Sequence, residues 1–425
     1  MNFRAAILTL VVLLSRAATD FADDLFLAAA GTELRAGHGK GDLVVLRGVN
    51  FGGWLVFEPW QTPMDSGGLK DDWSARKVLT ERFGAQRCEE LLAAYQEAWI
   101  TDRDFDQIAA AGFNVIRLPF WVLNLQDESG AWRPQAFARM DWAVEQAWKR
   151  GIYTILDLHG APGGQSEGDS TGRRRKKKED GIAPDFWKNE DNLRRTTELW
   201  KRVAEHYKGN AAVAAYDLLN EPYGAPDRET LWAVYDRLFK AVRAIDAEHI
   251  ISVEGCWGGW YDDAYHGWGW QSLPPPKRFG WTNVLYQQHS YEWAWNDLEK
   301  QKANIDAIVA DWREHRAWGV PCIIGEFNCM AREEAWKYAA EQFAAHGLSW
   351  AMWTYKATHG SGSDSWGFFN YRPPAPARPD LQKDSAEEIR SKWSQWHSGN
   401  FAINPMLART IGAGKIPPTP PLDPH

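Results

Sequence analysis

The chain has 425 residues, enough for two average domains or for one α/β barrel with insertions. Its 44% hydrophobic and 24% charged residues describe a protein that buries a large core, and exclude a disordered chain. A net charge of -8 excludes the basic excess of a nucleic-acid-binding surface, so no nucleic acid is expected as a partner. Trp outnumbers Phe, 26 to 18, which suits either flat indole faces for sugar rings or a large aromatic core.

From the N-terminus, Arg4 precedes an apolar run over residues 5–14, and Ser15-Arg16-Ala17 offers a small-x-small cleavage site. This is the pattern of a secretory signal peptide over residues 1–22, and it predicts export to the extracellular space or periplasm. The run is short for a membrane span, and no second long apolar segment follows, so no span is expected after signal removal; a retained anchor is the other reading.

Eight apolar runs then read as strands: "DLVVLRGVN" (42–50), "NVIRLPF" (114–120), "YTILDLHG" (153–160), "VAAYDLLNEP" (213–222), "HIISVEG" (249–255), "NVLYQQHSY" (283–291), "PCIIGEF" (321–327) and "LSWAMWTYK" (348–356). Most are separated by helical patterns closed by Gly, as in "MDWAVEQAWKRG" and "AAEQFAAHG"; the fifth connection, through "PPPKRFG", has little helical pattern. Near-continuous apolar strands alternating with helices imply a parallel sheet covered by helices, and eight units imply a single closed (β/α)8 TIM barrel with extended loops at its C-terminal face. A doubly wound sheet is the alternative, but no Gly-x-Gly-x-x-Gly follows the first strand. One domain is expected over residues 24–400, followed by a Pro-rich tail over 401–425. Four cysteines, Cys88, Cys256, Cys322 and Cys329, allow three complete pairings, and buried free thiols are an equal reading.

Barrel active sites lie at the C-terminal ends of the strands. Collected there are Arg117, His159, Asn220 with Glu221, His289 with Tyr291, Glu326 and Trp353. Glu221 after the fourth strand and Glu326 after the seventh face each other across the barrel mouth. Glycoside hydrolysis needs such a pair, one carboxyl to protonate the leaving oxygen and one to attack the anomeric carbon or activate water. A metal centre built on the histidines lacks a His-Glu-x-x-His or comparable cluster, so neither metal nor cofactor is expected.

These residues resemble glycoside hydrolase family 5, within the (β/α)8 glycosidases that carry Asn-Glu-Pro after strand four. The resemblance runs from "LRGVNFGGWLVFEPW" to "WTYK". It implies that Glu221 is the general acid/base and Glu326 the nucleophile of a retaining mechanism. Beside it, Asn220 would hold the sugar 2-hydroxyl, and Arg117 and Tyr291 would lower the pKa of Glu326 while that of Glu221 is raised. His159 and His289 would bond sugar hydroxyls or Glu221, and Trp353 would form the floor under the sugar.

"NFGGWLVFEPW" and "DLHGAPGGQSEGDSTG" are similar to the exo-β-1,3-glucanase branch, in which Glu58 and Asp169 would grip a terminal glucose; Glu58 as a surface loop residue is the other reading. The region "WTYKATHGSGSDSWGFFNY" departs from that branch. It carries Lys356 without the expected acidic residue, and its Gly/Ser loop is closer to endoglucanase-like relatives. Trp257, Trp260, Trp268, Trp293, Trp295 and Trp366 are candidate platforms for further sugars, or packing under long loops. The run "RRRKKK", Arg173 to Lys178, reads as a solvated, mobile charge block, with an anionic substrate, an anionic surface glycan or a proteolytic site as alternatives. The expectation is therefore a secreted, monomeric, cofactor-free hydrolase of a β-linked glucan or glucoside. An endo-β-1,4-glucanase, a glycolipid-cleaving glycosidase and a non-catalytic glycan-binding barrel are the alternatives.

Overall fold

The computed structural model describes residues 24–255, 270–358 and 366–412. The signal segment, Cys256, Trp257, Trp260, Trp268, the Gly/Ser loop over 359–365 and the tail from 413 lie outside the described residues.

Eight strands close into a barrel: β1 (Arg47–Asn50), β2 (Val115–Trp121), β3 (Tyr153–Gly160), β4 (Val213–Asp217), β5 (Ile250–Glu254), β6 (Val284–Tyr291), β7 (Cys322–Asn328) and β8 (Ser349–Met352). Every neighbouring pair is parallel, and β8 returns to pair with β1. A closed sheet leaves no edge to protect, and all eight strands except the first, whose Arg47 is partly exposed, are buried along their whole length. This is why they read as apolar runs rather than alternating ones. Helices wrap the outside. Asp71, Asn189, Asp227, Asp297 and Ser385 each accept a backbone N–H at a helix start, and Gly151 and Gly347 take positive φ after the helices Ala138–Trp148 and Glu333–Ala345. Between β5 and β6 the described residues form only two short 3-10 turns, Trp270–Ser272 and Pro276–Arg278.

Three strands, the first, fourth and eighth, are much shorter than their sequence runs. Leu43–Val44 leaves the barrel and pairs with Glu33–Arg35, which pairs with Ala28–Ala30. Leu27, Leu34 and Leu46 pack there against Val115, Ile155, Ala215 and Ile323, closing the end of the barrel away from the site. The fourth strand stops at Asp217, so Leu218 to Pro222 belongs to the loop above it. The eighth stops at Met352, and Lys356–Ala357 joins a small sheet with Phe369–Tyr371 and Phe401–Ile403.

That small sheet moves the expected boundary at residue 400. Phe401 is buried against Trp99 and Trp396, and the helix Pro405–Thr410 buries Met406 and Leu407, so residues 401–412 pack on the barrel instead of forming a tail. Lys356 anchors the same region away from the pocket. Its buried Nζ donates to the carbonyls of Trp99 and Trp396 at 2.8 Å each, and burial lowers its pKa to about 8.

The basic run is held rather than solvated at its start. Arg173 lies over the Trp73 ring at 3.7 Å, Arg174 forms two bonds to Asp180, and Arg175 is tucked against Gly164. Only the lysines that follow are exposed. Among the described residues Cys88, Cys322 and Cys329 are buried free thiols, and no helix is long and apolar enough to cross a membrane.

Candidate active site

Side chains on a strand alternate faces, so residues two apart point the same way. On β6 this aims Gln287, His289 and Tyr291 inward together, and on β3 Asp157 with His159. Arg117 on β2 sits at the centre with no exposed surface. Its Nε donates to Asp217 at 2.9 Å, Nη2 to Oδ1 of Asn220 at 2.8 Å, and Nη1 to Oε1 of Glu326 at 2.8 Å and Oδ1 of Asn50 at 3.1 Å. Oδ2 of Asp157 is 3.0 Å from Nη1 and 2.6 Å from Nδ1 of His159. A buried guanidinium persists because its charge and donors are matched on every side.

A register shift in the β6–β7 pairing falls between Ile324 and Glu326 and re-aims the chain just before the carboxylate. Gly325 is required there, because a Cβ at that position would sit 2.3 Å from the Gln287 side chain. Glu326 then receives Arg117 on Oε1 and the Tyr291 hydroxyl on Oε2, each at 2.8 Å.

Glu221 is placed differently, on the loop beyond β4. Its φ is +40°, an uncommon conformation for a residue with a side chain, and its N–H donates to Oε2 of Glu254 at 2.8 Å. The Gln165 amide braces the same turn by donating to the carbonyls of Asn220 and His159 at 2.8 Å. Oε1 of Glu221 is 2.9 Å from Nδ1 of His289, and that nitrogen is 3.4 Å from Oε2 of Glu326. These two oxygens are therefore no farther apart than the sum of the two distances, 6.3 Å. Retaining glycosidases place their carboxyls about 5–5.5 Å apart and inverting ones about 6.5–9.5 Å.

Burial raises the pKa of Glu221 well above the usual carboxylate range, and the charges of Glu326 and Glu58 add to it. Burial also raises Glu326, against the opposing pull of Arg117, His159 and Tyr291. The expected lowering of Glu326 is thus corrected. Its partners act in that direction, but desolvation exceeds them, and the contrast with Glu221 survives as one of degree. Burial with the charges of Arg117 and His159 holds His289 well below its ordinary value, hence neutral. Its Nε2 faces the Gln287 amide nitrogen at 3.4 Å, which itself donates to Asp217, so we assign the imidazole proton to Nδ1, facing Glu221.

Above this network lies a cavity of about 390 Å³. Glu58, Asp169, Glu221, Glu326, His159, Tyr291 and Trp353 line it, with Trp60, Trp293, Trp295 and Trp366 around the mouth. The ten residues singled out in the sequence thus come together, in two layers. Arg117 and His289 stand beneath the lining, Asn220 lies just behind it with Nδ2 unpartnered, and the others form the cavity wall. Glu58 is no surface residue: it is buried and accepts from Trp60 at 2.9 Å and Gln61 at 2.8 Å. Burial, then the charge of Asp169, raises its pKa well above the usual range. Trp353 stacks on His159 with ring planes 8° apart. Nδ2 of Asn220 has no hydrogen-bond partner among the described residues.

Sequence reasoning missed Asn50, Asp157, Asp217, Glu254 and Gln287. Asp157 and Gln287 interrupt their apolar strands and Asn50, Asp217 and Glu254 end theirs, and a polar residue in an apolar run was the available signal. Glu221, Glu254 and His289 hold ligand-type atoms within 4.8 Å of one another. Nδ1 of His289 lies 2.9 Å from Oε1 of Glu221 and 3.3 Å from Oε1 of Glu254, so the three groups can share the imidazole proton.

The family model for cellulase (glycosyl hydrolase family 5) matches residues 80–359. The chain belongs to glycosyl hydrolase family 5. It is accordingly a glycoside hydrolase of a family that works with retention. A beta-xylosidase of Phanerodontia chrysosporium is 28% identical over 78% of this chain and 71% of its own length. A probable glucan 1,3-beta-glucosidase A of Emericella nidulans is 31% identical over 67% of each chain. That of Aspergillus clavatus is 34% identical over 48% of each, so the match spans about half the length of that relative. Among solved structures, the rutinosidase from Aspergillus niger superposes with a TM-score of 0.61 at 19% identity, covering 76% of this chain and 95% of that one. An endogalactoceramidase does so with 0.58 at 18%, covering 87% and 84%. Both likenesses are of the fold.

Proposed function

We propose that this family 5 enzyme removes single sugars from the ends of β-glucans, β-1,3-linked ones first. The observation that carries this reading is the small cavity lined by four carboxyl groups, Glu58, Asp169, Glu221 and Glu326. Its volume is near the lower end for ligand pockets, which run from about 300 to 1,000 Å³. Beside Glu221 and Glu326 the cavity holds Glu58 and Asp169, which in this reading grip the terminal sugar and leave no room for a longer chain. The names of the Emericella and Aspergillus relatives support the linkage, and the export signal read at the N-terminus suits a polymer outside the cell.

In the first step Glu326 attacks the anomeric carbon while Glu221 gives its proton to the departing oxygen. The bond to the leaving sugar breaks and a bond from Glu326 to the sugar forms. Esterification removes the charge of Glu326, one of the causes that raised Glu221, so the acid becomes a better proton donor as it is needed. In the second step Glu221 takes a proton from water, whose oxygen replaces Glu326 at the same carbon. The free Nδ2 of Asn220 is the donor for the 2-hydroxyl, a bond that strengthens as positive charge develops on the ring. Trp353 supplies the flat face below.

The test is product length from laminarin, mixed-linkage glucan and carboxymethyl cellulose, with aryl β-glucoside and aryl β-xyloside alongside. Glucose alone from laminarin, with loss of at least about a thousandfold in Glu326→Ala, is expected for a covalent nucleophile. A ladder of oligomers would mean an open cleft and endo action. Preference for the xyloside would align the pocket with the Phanerodontia relative instead.

A further inference from the structure

Glu254 closes β5 with both faces of its carboxyl inside the network, and the two steps above do not use it. Its backbone is pinned, because the Tyr235 hydroxyl donates to its carbonyl at 2.9 Å. Its Oε2 receives the Glu221 N–H at 2.8 Å, at the residue whose φ is +40°. Its Oε1 is buried without a hydrogen-bond partner and lies 3.3 Å from Nδ1 of His289. That nitrogen carries one proton and faces three carboxylates, Glu221, Glu254 and Glu326.

We propose that Glu254 is a positioning residue for Glu221, fixing through the Glu221 N–H and the shared Nδ1–H of His289 where the acid's carboxyl points and when its proton leaves. The inference rests on the reading of Glu221 as the acid/base. Two independent contacts carry it. The backbone contact holds a left-handed turn that a side-chain-bearing residue adopts only when its surroundings impose it. The second contact makes Glu221 and Glu254 competitors for one donor, so that the pair titrates as a unit. The other charged groups facing the pair are Glu326, Arg117, Asp157, Asp217 and Glu58. Of these only Arg117 is cationic, and it is engaged by Asp157, Asp217 and Glu326 at 3.0 Å or less. Burial and then the charge of Glu221 raise Glu254, so the two carboxyls oppose each other's ionisation. Replacing the acid of Glu254 by an amide removes that repulsion from the shared titration, while leaving the nucleophile's own contacts in place.

The experiment compares the wild-type chain with Glu254→Gln and Glu254→Ala on 4-nitrophenyl and 2,4-dinitrophenyl β-glucosides, following kcat/KM against pH. The dinitrophenolate departs without protonation, so it reports on everything except the acid. Glu254→Gln keeps an oxygen for the Glu221 N–H and is expected to fold. Its basic limb moves to lower pH by about one unit. In Glu254→Ala the rate on the 4-nitrophenyl substrate falls about 10- to 100-fold, and on the dinitrophenyl substrate less than about threefold. An unmoved basic limb in Glu254→Gln, or an equal loss on both substrates in a folded Glu254→Ala, overturns the proposal. Glu221→Gln is measured in parallel. If it loses rate equally on both leaving groups, the assignment of Glu221 as the acid fails, an outcome distinct from any behaviour of Glu254.

Discussion

Tyr291 donates its phenolic hydroxyl to Oε2 of Glu326 across 2.8 Å, on the carboxylate oxygen that Arg117 leaves open. A hydrogen bond to a charged group contributes about 1.5–3 kcal/mol, and the proposed nucleophile needs both oxygens oriented. Tyr291→Phe is expected to lower kcat/KM by roughly 10- to 100-fold without unfolding the chain, as read from steady-state kinetics beside a thermal melt.

Arg117 is the structural centre as well as the electrostatic one. Removing one partner of a buried ion pair leaves an uncompensated charge, at a cost of about 3–5 kcal/mol. Arg117→Met strands Asp157, Asp217 and Glu326 together. It should lose most of its soluble yield, or shift its denaturant midpoint sharply downward at neutral pH. Recovery of stability at pH 5 would identify the stranded carboxylates as the cause.

Glu58 and Asp169 touch no reacting atom in the proposed scheme, and their expected effect is on binding. Glu58→Gln and Asp169→Asn should each raise KM for an aryl β-glucoside about tenfold or more, since each replaces a carboxyl that accepts from sugar hydroxyls by an amide with one oxygen fewer. Unchanged KM in both would remove the support for a closed pocket.

The buried acids also predict how stability varies with pH. Burial raises Asp157 to about 7 and Asp217 to about 6, with Arg117 opposing. Between the unfolded carboxylate value, near 4, and these folded values the native state binds more protons than the unfolded one, so stability falls as pH rises. This contribution is complete below pH ~4 and gone above pH ~7. Thermal melts should therefore show a maximum on the acid side of neutrality. In Asp217→Asn the decline between pH 5 and 7 should be shallower.

The barrel was legible because a strand buried on both faces cannot alternate, and eight such runs separated by Gly-terminated helices have few other ways to close. That Arg117, His159, Glu221, His289 and Glu326 converge followed from the same order of strands, although Arg117 sits within β2 and Glu221 beyond β4. Strand lengths did not follow. Nothing local in "VAAYDLLNEP" marks Asp217 as the last paired residue, because Leu218 and Leu219 are as apolar as the strand and are buried by the loop above it. The basic run was misjudged for a related reason. Local charge density favours solvation, but Trp73 and Asp180, distant or across a turn, supply a ring and a carboxylate for the arginines. Trp293 and Trp295, exposed at 59% and 43%, were named as rim platforms along with Trp366, and only packing distinguishes them from the buried indoles of the core.

By itself the sequence determined the class of the fold, the order of its eight strands and the identity of the facing carboxyl pair, since these depend on periodicity and on residue type at strand ends. Only the tertiary structure decided that Glu254 stands behind Glu221, that Asp157 and Asp217 share Arg117 with Glu326, and that Glu58 is buried in the wall of the cavity that holds the pair. Those relationships join residues tens to hundreds of positions apart, and their energies arise from desolvation and charge at distances that exist only once the barrel has closed.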